Sequence, residues 1–588
     1  MPSPASPPEP VAPPSATAPQ PEGFWRREAS HYPRPLSPMY RVTLDWMISI
    51  WRELATSHGL MFDGIENREI NGWVYQRLVP IGGKDRKPPP LWLTWAFVRV
   101  APSMRKRLRT LSRAMKDDVP GQYIERWYST WRPHQDETIA RLRGVDLPAL
   151  DDEACVRHFE ETFQFGHDSL DIHFRLTLPV GTMAELSFAC EEMLGWGEHE
   201  MVELLAGLSR TSTDPARQLA ALARMAKERP AVRDLLANVD AGTLARIEAA
   251  DPEFARAFHA YQREFGCRAL RYEVVDPALE EVPALTLGLI HDQIVREYDP
   301  DAEERALLEQ RRRVVERAHA ELASRPAADR ERFDHLLARA ERYYPVREEN
   351  EFFTVSAPLA LMRYAALEMG RRLTERGLID AREDVFFLEP DEAAAALRNA
   401  ADSRALVARR MGERAWVLSH PAAPTLGEDV RGEPPLKALP ADAAFNMRAV
   451  IWAADRIAGG EAAPEPQAAG DAPAAVPNEV KTIKGIPAAP GRYAGPVRVI
   501  RDESEFEKIR AGDVLVCPIT SPVWSIIFPS VGALVTETGG VLSHPAIIAR
   551  EYGIPAVVAT RNATKVLKDG QKVLVDGAAG TVEVMPGP

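Results

Sequence analysis

Between about residue 23 and residue 457, apolar positions recur every three or four residues, which is the period of an α-helix. The segments ERFDHLLARAERYYPVREENEFF and LALMRYAALEMGRRLTERGLI show this period most clearly. Few runs in this region predict a strand, and EDVFFLEP is the clearest of them. The pattern predicts that residues 23–457 form a large, mostly helical domain or a pair of such domains.

The pattern changes in the last part of the chain. Short runs of mainly β-branched and aliphatic residues are bounded there by Gly, Pro or Asp, and each predicts a strand: GPVRVI, DVLVCP, ALVTE, AVVAT, KVLVDG and TVEVM. One clear helix, PAIIAREY, lies among them. Residues 480–588 are therefore predicted to form a small, β-rich α/β domain, which makes the chain a multidomain α and α/β protein.

Two segments have no apolar period. Residues 1–22 are rich in proline and predict a disordered tail. Residues 458–479 consist mainly of alanine, proline, glycine and glutamate and predict a linker. At about 3 Å per extended residue, a linker of this length reaches ~60 Å. Such a tether would let the domain that follows it visit two places.

Composition narrows the classes of function. The net charge of −13 argues against a nucleic-acid partner, because such a surface needs an excess of Lys and Arg. The four cysteines have no paired spacing, which fits a reducing cytoplasm. The N-terminus lacks the pattern of a signal peptide, and the longest apolar run, around PPPLWLTWAFV, is too short to span a bilayer. We therefore expect a cytoplasmic protein without a nucleic acid or a membrane as its partner.

One stretch is locally basic, RVAPSMRKRLRTLSRAMK at residues 99–116. At helical spacing it places Val100, Met104, Leu108, Leu111 and Met115 roughly on one side. The favoured interpretation is the solvated face of an amphipathic helix, and contact with a lipid or a phosphate is the alternative.

The chemistry concentrates in the segment TETGGVLSHPAIIAREYGIPAVV. After the predicted strand ALVTE, Gly539 and Gly540 form a turn that permits positive φ and the close approach of another group. Ser543 is a favourable N-cap and Pro545 suits a first helical turn, so His544 is expected at the N-terminus of a helix. Free backbone N–H groups at such a terminus favour an anion.

A neutral imidazole at this position can act as a nucleophile near pH 7, since its reference pKa is ~6.5. If His544 accepts a phosphoryl group, the backbone around Gly539, Gly540 and Ser543 can hold the phosphate oxygens. A nucleophile with an anion cradle on a tethered domain describes a phosphohistidine carrier. A histidine that only caps the helix is the alternative, and the spacing alone does not decide between them.

The same segment resembles the phosphohistidine signature of the phosphoenolpyruvate-utilising enzymes, which include rifampicin phosphotransferase. The flanking sequences GIPAAPGRYAGPVRVI, AGDVLVCPITSPVW and VLVDGAAGTVEV agree with this resemblance, which covers about residues 480 to 585. Leu542 stands where the dikinase and synthase members usually have threonine and is more similar to the rifampicin phosphotransferase branch. The resemblance implies a swivelling domain on which His544 is transiently phosphorylated.

The helical region resembles the substrate-binding region of rifampicin phosphotransferase-like proteins through HYPRPLSPMY, LLAGLSRTSTD, REFGCRALRYEVVDPALEEVP and REENEFF. Arg268 is carried over from that pattern. Arg268 and Arg271 are candidate phosphate clamps, because a guanidinium presents forked donors to oxyanions. Glu273 is a candidate for orienting an acceptor hydroxyl, and Arg347 with Glu349 offers a second polar cluster. A surface salt bridge is the alternative for each of these residues.

Neither a GxxxxGK[ST] sequence nor a second βα series after the phosphohistidine domain is present. The related enzymes charge their histidine from ATP in a grasp-type module or from phosphoenolpyruvate in a barrel. The resemblance therefore implies that a separate ATP-grasp subunit, with ATP and Mg²⁺, charges His544, as in phenylphosphate synthase-type systems. No cofactor is expected on this chain. His167 and His173 do not share a helical face, so no metal is expected either, and self-association is left open.

Three functions stay open on the sequence. The first, which we expect, is a phosphotransferase component that carries a phosphoryl group on His544 to a small molecule in the helical region. An aromatic or natural-product-like acceptor is implied by analogy alone. The second is a non-catalytic binding or regulatory homologue, which the missing backbone donor at Pro545 favours. The third is a ligase or lyase that works through a transient phosphate ester.

Overall fold

The computed structural model describes residues 10–13, 21–29, 31–296, 299–420, 422–432, 434–458, 482–520, 524 and 526–585. Most of the predicted tail, residues 1–22, lies outside the described residues. The predicted linker, residues 458–479, lies outside them except for its first residue. Within the described part of the chain, none of the helices has the length and apolar character that crossing a membrane requires.

The helices and strands follow the two patterns that the sequence predicts. The α-helices, in chain order, are α1 (Pro38–His58), α2 (Leu91–Val100), α3 (Pro102–Lys116), α4 (Val119–Arg126), α5 (Arg132–Arg143), α6 (Asp152–Arg175), α7 (Gly181–Leu194), α8 (Glu198–Glu203), α9 (Arg210–Lys227), α10 (Pro230–Leu236), α11 (Thr243–Ala250), α12 (Pro252–Phe265), α13 (Pro283–Arg296), α14 (Pro300–Leu322), α15 (Ala327–Glu351), α16 (Ala357–Glu375), α17 (Pro390–Asn399), α18 (Arg404–Ser419), α19 (Ala441–Ala458), α20 (His544–Glu551) and α21 (Ala563–Val566). The strands are β1 (Trp25–Arg27), β2 (Gly64–Ile70), β3 (Trp73–Val79), β4 (Thr425–Leu426), β5 (Thr482–Lys484), β6 (Ile486–Ala489), β7 (Arg492–Val499), β8 (Asp513–Cys517), β9 (Val531–Thr536), β10 (Ala556–Val558), β11 (Lys572–Asp576) and β12 (Thr581–Val584). A large, mostly helical region followed by a β-rich C-terminal region is thus confirmed as the fold class.

The chain divides into two compact units, each built from three segments of the sequence. Unit 1 consists of Met1–Leu178, Arg271–Pro277 and Phe353–Arg448, and unit 2 consists of Pro179–Leu270, Ala278–Phe352 and Ala449–Pro588. The region predicted as helical therefore contributes to both units. The domain boundaries drawn from the sequence stay a prediction.

Unit 1 contains an antiparallel sheet that the sequence analysis missed. Its strand order is β2-β3-β1-β4. Strands β2 and β3 form a hairpin in which Ile70 pairs with Trp73. The two turn residues, Asn71 and Gly72, have φ values of 52° and 81°. An Asn-Gly pair in this left-handed conformation matches the twist of the flanking strands, so it was the sequence signal for this hairpin.

The strand predicted at EDVFFLEP is wrong, because residues Arg382–Phe387 form a 3₁₀ helix. The carboxylate of Asp384 accepts a hydrogen bond from the backbone N–H of Ala381 at 2.9 Å and thereby caps this turn. Glu389 and Pro390 then begin helix α17. Local capping by acidic side chains outweighs the β-propensity of the Val-Phe-Phe run.

Unit 2 contains an eight-stranded mixed sheet with the order β5-β12-β11-β7-β8-β9-β10-β6. The central strands β7, β8, β9 and β10 are parallel to one another, whereas the remaining neighbours pair antiparallel. The strands predicted from the six C-terminal runs are all confirmed, and so is the helix predicted at PAIIAREY.

Both faces of this sheet are buried, because side chains along its central strands alternate between two apolar clusters. On β8, Val514 and Val516 belong to one cluster, which lies inside the C-terminal domain. Leu515 and Cys517, which point to the other face, belong to a second cluster together with Ile548 of α20. A continuous apolar strand is the pattern that burial on two faces produces.

The second cluster extends beyond the C-terminal domain. It also includes Leu219 of α9, Phe258 of α12 and Ile290 of α13, which are fully buried. Within unit 2, the β-rich domain therefore shares one apolar core with the helices that precede it. Any motion of this domain away from those helices has to expose part of that core to water.

We predict that Gly577→Ala destabilises unit 2 by about 1–3 kcal/mol, because an added methyl group meets backbone and overpacks the turn. A Cβ atom at Gly577 would lie 1.9 Å from the carbonyl oxygen of Ala489 and 2.9 Å from the nitrogen of Ala556. The free energy of unfolding in urea measures the effect. Gly288→Ala on α13 is the control, since a Cβ atom there meets nothing within 4 Å. Equal stability of both variants would contradict the prediction.

Candidate functional site

The segment that presents His544 turns sharply between β9 and α20. Gly539 has a φ of 105°, a conformation that glycine adopts without strain. A Cβ atom at Gly540 would lie 2.3 Å from the carbonyl oxygen of Arg456, near the end of α19. The same carbonyl oxygen accepts a hydrogen bond from the N–H of Leu542 at 3.0 Å. The two glycines therefore serve the predicted turn and close approach, and the group that approaches Gly540 is protein backbone.

Ser543 stands at the N-cap of α20, but its hydroxyl caps no helical N–H. Instead, the Ser543 hydroxyl donates to the carbonyl oxygen of Gly540 at 2.7 Å, and the Ser543 N–H donates to the same oxygen at 3.0 Å. The side chain is buried. Ser543 thus rigidifies the turn before the helix, and helix α20 begins at His544, as the sequence predicts.

The imidazole of His544 contacts a carboxylate from a distant part of the sequence. Its Nδ1 lies 3.0 Å from Oε2 of Glu348, on α15. The two side chains are 16% and 9% exposed. In a neutral imidazole, donation of a hydrogen bond to this carboxylate requires the proton on Nδ1 and leaves the lone pair on Nε2. Nε2 is buried and has no hydrogen-bond partner among the described residues.

Arg347, the neighbour of Glu348, holds the other side of the same segment. One of its terminal nitrogens donates to the carbonyl oxygen of Leu542 at 3.0 Å. The Nε atom of Arg347 is buried without a hydrogen-bond partner among the described residues. Two consecutive residues of α15 therefore hold this segment: Arg347 binds the backbone before His544, and Glu348 binds the imidazole.

The far end of α20 is also anchored. The carboxylate of Glu551 accepts hydrogen bonds from the backbone N–H groups of Gly207 at 3.1 Å and Ser209 at 3.4 Å, just before α9. Arg550 donates to the carbonyl oxygens of Ala488 and Val541 at 2.6 Å each. Burial raises the pKa of Glu551 to about 7, against the opposing effect of the two N–H donors.

Arg268 lies in unit 2, as does His544. Its guanidinium stacks over the ring of Phe352, 4.1 Å from the centroid, at the end of α15. Burial lowers the pKa of Arg268 to about 10, and its Nε has no hydrogen-bond partner among the described residues. This is a desolvated cation held by an aromatic face, which fits the predicted role of an oxyanion clamp without testing it.

Arg271 and Glu273 belong to unit 1. Arg271 lies 3.9 Å from the carboxylate of Asp276. Glu273 is buried and accepts hydrogen bonds from the hydroxyl of Ser37 at 2.8 Å and from its N–H at 3.1 Å. Burial raises the pKa of Glu273 to about 7. The predicted cluster of Arg268, Arg271 and Glu273 is thus divided between the two compact units.

Sequence reasoning selected the right helix of the second polar cluster but missed Glu348. It chose Arg347 and Glu349, and Glu349 is a buried residue of α15. The helical period was an available signal for Glu348. This residue lies one turn after the buried aromatic Tyr344, on the same side of α15. This period alone does not show which of the three consecutive residues Arg347, Glu348 and Glu349 faces the histidine segment.

No group of three or more His, Cys, Asp or Glu side chains arranged to hold a metal ion occurs within the described ranges. His173 instead contacts the hydroxyl of Thr354 at 3.2 Å, and His167 contacts the carboxylate of Asp168 at 3.1 Å.

Comparison with known proteins identifies two parts of the chain. Residues 509–580 match the mobile domain of the PEP-utilising enzymes, and residues 176–348 match the fourth domain of rifampicin phosphotransferase. The first match contains His544 and the second ends at Glu348, so the contact between these two residues joins the two domains. These two matches confirm the resemblance seen in the sequence.

Individual relatives agree with these matches. The uncharacterized phosphotransferase YvkC of Bacillus subtilis is 28% identical over 442 residues, or 74% of this chain and 49% of that protein. A rifampicin phosphotransferase of Streptomyces sviceus is 27% identical over 464 residues, or 75% of this chain and 48% of that protein. The chondramide synthase cmdD of Chondromyces crocatus is 26% identical over 586 residues, or 96% of this chain and 14% of that protein. The chain spans about half or less of the length of these relatives.

We predict that Glu551→Gln removes a pH dependence from the stability of unit 2. A folded-state pKa of about 7, raised from 4.5, means that the carboxyl stabilises the fold below pH 4.5 and that this stability is lost as the pH rises through 7. The variant should therefore gain stability relative to the parent chain between these pH values, by up to about 3 kcal/mol.

Urea unfolding at a series of pH values measures this difference. Glu583→Gln, at an exposed position of β12, is the matched control and should show a constant difference from the parent chain. A constant difference for Glu551→Gln as well would show that burial of this carboxyl does not govern the stability of the unit.

Proposed function

We propose that the chain is a phosphotransferase component in which His544 carries a phosphoryl group. The observation that carries the proposal is the imidazole geometry, with Nδ1 bound to Glu348 at 3.0 Å and a buried Nε2 that has no hydrogen-bond partner within the described residues. A lone pair that is not engaged and is shielded from water is what a phosphoryl acceptor requires. Two of the relatives are named phosphotransferases, which supports the same class of reaction.

In the first step, the lone pair of Nε2 attacks the phosphorus of the donor. A P–N bond forms while a P–O bond of the donor breaks, and the electron pair of that bond leaves on the donor oxygen. The Glu348 carboxylate remains on Nδ1–H and stabilises the positive charge that develops on the ring. Glu348 thus acts as a positioning residue for the nucleophile.

In the second step, an oxygen of the acceptor attacks the same phosphorus. The P–N bond breaks, its electron pair returns to Nε2, and the proton of the acceptor hydroxyl ends on that nitrogen. Cations near the transferring group would offset its charge. We assign this role to Arg347, which holds the carbonyl of Leu542, and to Arg268, which is desolvated against Phe352.

We further propose that the acceptor is a small molecule bound in the helical region and that a separate ATP-grasp subunit, with ATP and Mg²⁺, supplies the phosphoryl group. The support for the acceptor is the name of one relative, a rifampicin phosphotransferase. Because Nε2 is buried, a path for the donor has to open at that nitrogen while Glu348 stays on Nδ1.

We predict that His544→Ala abolishes phosphorylation of the chain. The experiment incubates the purified chain with radiolabelled ATP and an ATP-grasp partner, or with labelled phosphoenolpyruvate, and measures label that is acid-labile and base-stable. His420→Ala on the surface is the control and should be labelled like the parent chain. Equal labelling of His544→Ala would overturn the proposal, and labelling by ATP without a partner would overturn the need for that subunit.

We predict that Glu348→Gln slows labelling by roughly 10²- to 10⁴-fold, because the amide cannot stabilise the positively charged ring. Glu348→Asp should restore part of the rate, which a loss of folding alone would not allow. Glu331→Gln, at an exposed position of the same helix, is the matched control. A pH profile of labelling that is identical for Glu348→Gln and the parent chain would refute the role of Glu348.

A further inference from the structure

Helix α2 in unit 1 exposes almost its entire apolar surface. Only Thr94 and Val98 are buried, on one narrow strip. Trp92 is 71% exposed, and the rest of the exposed apolar side chains are Leu91, Leu93, Trp95, Phe97 and Val100. Burial of one large apolar side chain away from water is favourable by about 1.5–3 kcal/mol. A helix with this much exposed apolar surface therefore indicates an interaction partner.

The helix that follows is strongly basic. Helix α3 contains no acidic residue, and among the described residues none of its five exposed cationic side chains forms an ion pair: Arg105, Lys106, Arg109, Arg113 and Lys116. Arg107, in contrast, turns inward and binds Asp63 at 2.6 Å. Residues 84–116 contain ten Lys or Arg and one Asp, in a chain whose net charge is −13. The positive charge is therefore concentrated beside the apolar helix.

We infer that α2 and α3 together bind the surface of an anionic phospholipid bilayer. The tryptophans of α2 suit the boundary between headgroups and acyl chains, where an amphipathic ring is stabilised. The cations of α3 suit the anionic headgroups, with an attraction that adds up along the helix. The sequence alone led us to expect no membrane partner, and the exposure of α2 is the observation that changes this expectation.

Charge and shape favour a bilayer over other occupants. In a symmetric dimer formed through α2, the basic α3 of one copy would approach the basic α3 of the other, and like charges would repel. A small apolar ligand needs a concave site, whereas α2 is a convex helix that exposes apolar side chains around most of its circumference and buries only the Thr94 and Val98 strip. A planar anionic surface satisfies both the aromatic and the basic residues at once.

Sedimentation with vesicles tests this inference on the full chain. We expect binding to vesicles of phosphatidylcholine mixed with phosphatidylglycerol, weaker binding at high salt, and little binding to phosphatidylcholine alone. The double variant Trp92→Ser with Trp95→Ser should lose binding to the mixed vesicles. Arg109→Gln with Arg113→Gln should weaken it by roughly 30-fold, from the attraction of two basic residues. Circular dichroism verifies that each variant is folded.

Leu418→Ser is the matched control, because Leu418 is another exposed apolar residue of unit 1, at 54% exposure. This variant should bind like the parent chain. Absence of binding to the mixed vesicles, equal binding to neutral vesicles, or unchanged binding of the tryptophan variant would each overturn the inference. A dimer in light scattering that the tryptophan variant abolishes would also overturn it and would assign the surface to a second copy. Labelling of His544 is independent of all these outcomes.

Discussion

The approach of the Glu348 carboxylate to Nδ1 of His544, at 3.0 Å, is the contact on which the proposed chemistry depends. An imidazole has two nitrogens and, when neutral, one proton, so whatever binds one nitrogen determines what the other can do. With Nδ1 engaged, only Nε2 can accept a phosphoryl group. Because both side chains are largely buried, the contact acts in surroundings of low dielectric constant, where water does not compete for either partner.

The C-terminal fold and the position of His544 at the start of a helix were largely predictable from the sequence, because the information for both is local. Alternating and continuous apolar runs specify strands, and the sequence GGVLSHP contains a glycine turn and a helix start within a few residues. The 3₁₀ turn at Arg382–Phe387 shows the limit of that approach. There the carboxylate of Asp384 accepts a hydrogen bond from the N–H of Ala381, three residues earlier, and stabilises a helical turn where the local sequence predicts a strand. The hairpin at Asn71 and Gly72 was missed although its turn signal was equally local.

The partners of the histidine could not be derived in the same way. Glu348 and His544 are 196 positions apart, and the phase of α15 in the packed structure decides which acidic side chain faces the imidazole. Arg347 and Glu349 lie beside Glu348 in the sequence, yet the first binds a backbone carbonyl and the second is a buried side chain. Similarly, Arg268 and Arg271 are close in sequence but belong to different compact units. Spacing in the sequence determines the distance between two side chains only when both lie in the same helix or strand.

Burial of the histidine has two opposite consequences for the proposed reaction. A phosphoryl group on Nε2 would be protected from hydrolysis while α20 is packed against α15, because water is excluded there. The same packing restricts the access of a phosphoryl donor to Nε2, so a path to this nitrogen has to open while Glu348 stays on Nδ1. The carboxylate of Glu551, with its pKa near 7, holds the far end of α20 in the packed arrangement. Separation of these surfaces exposes apolar area but also returns that carboxylate to water. The second effect offsets part of the first, so the buried carboxylate lowers the free-energy cost of separating α20 from the helices that it packs against.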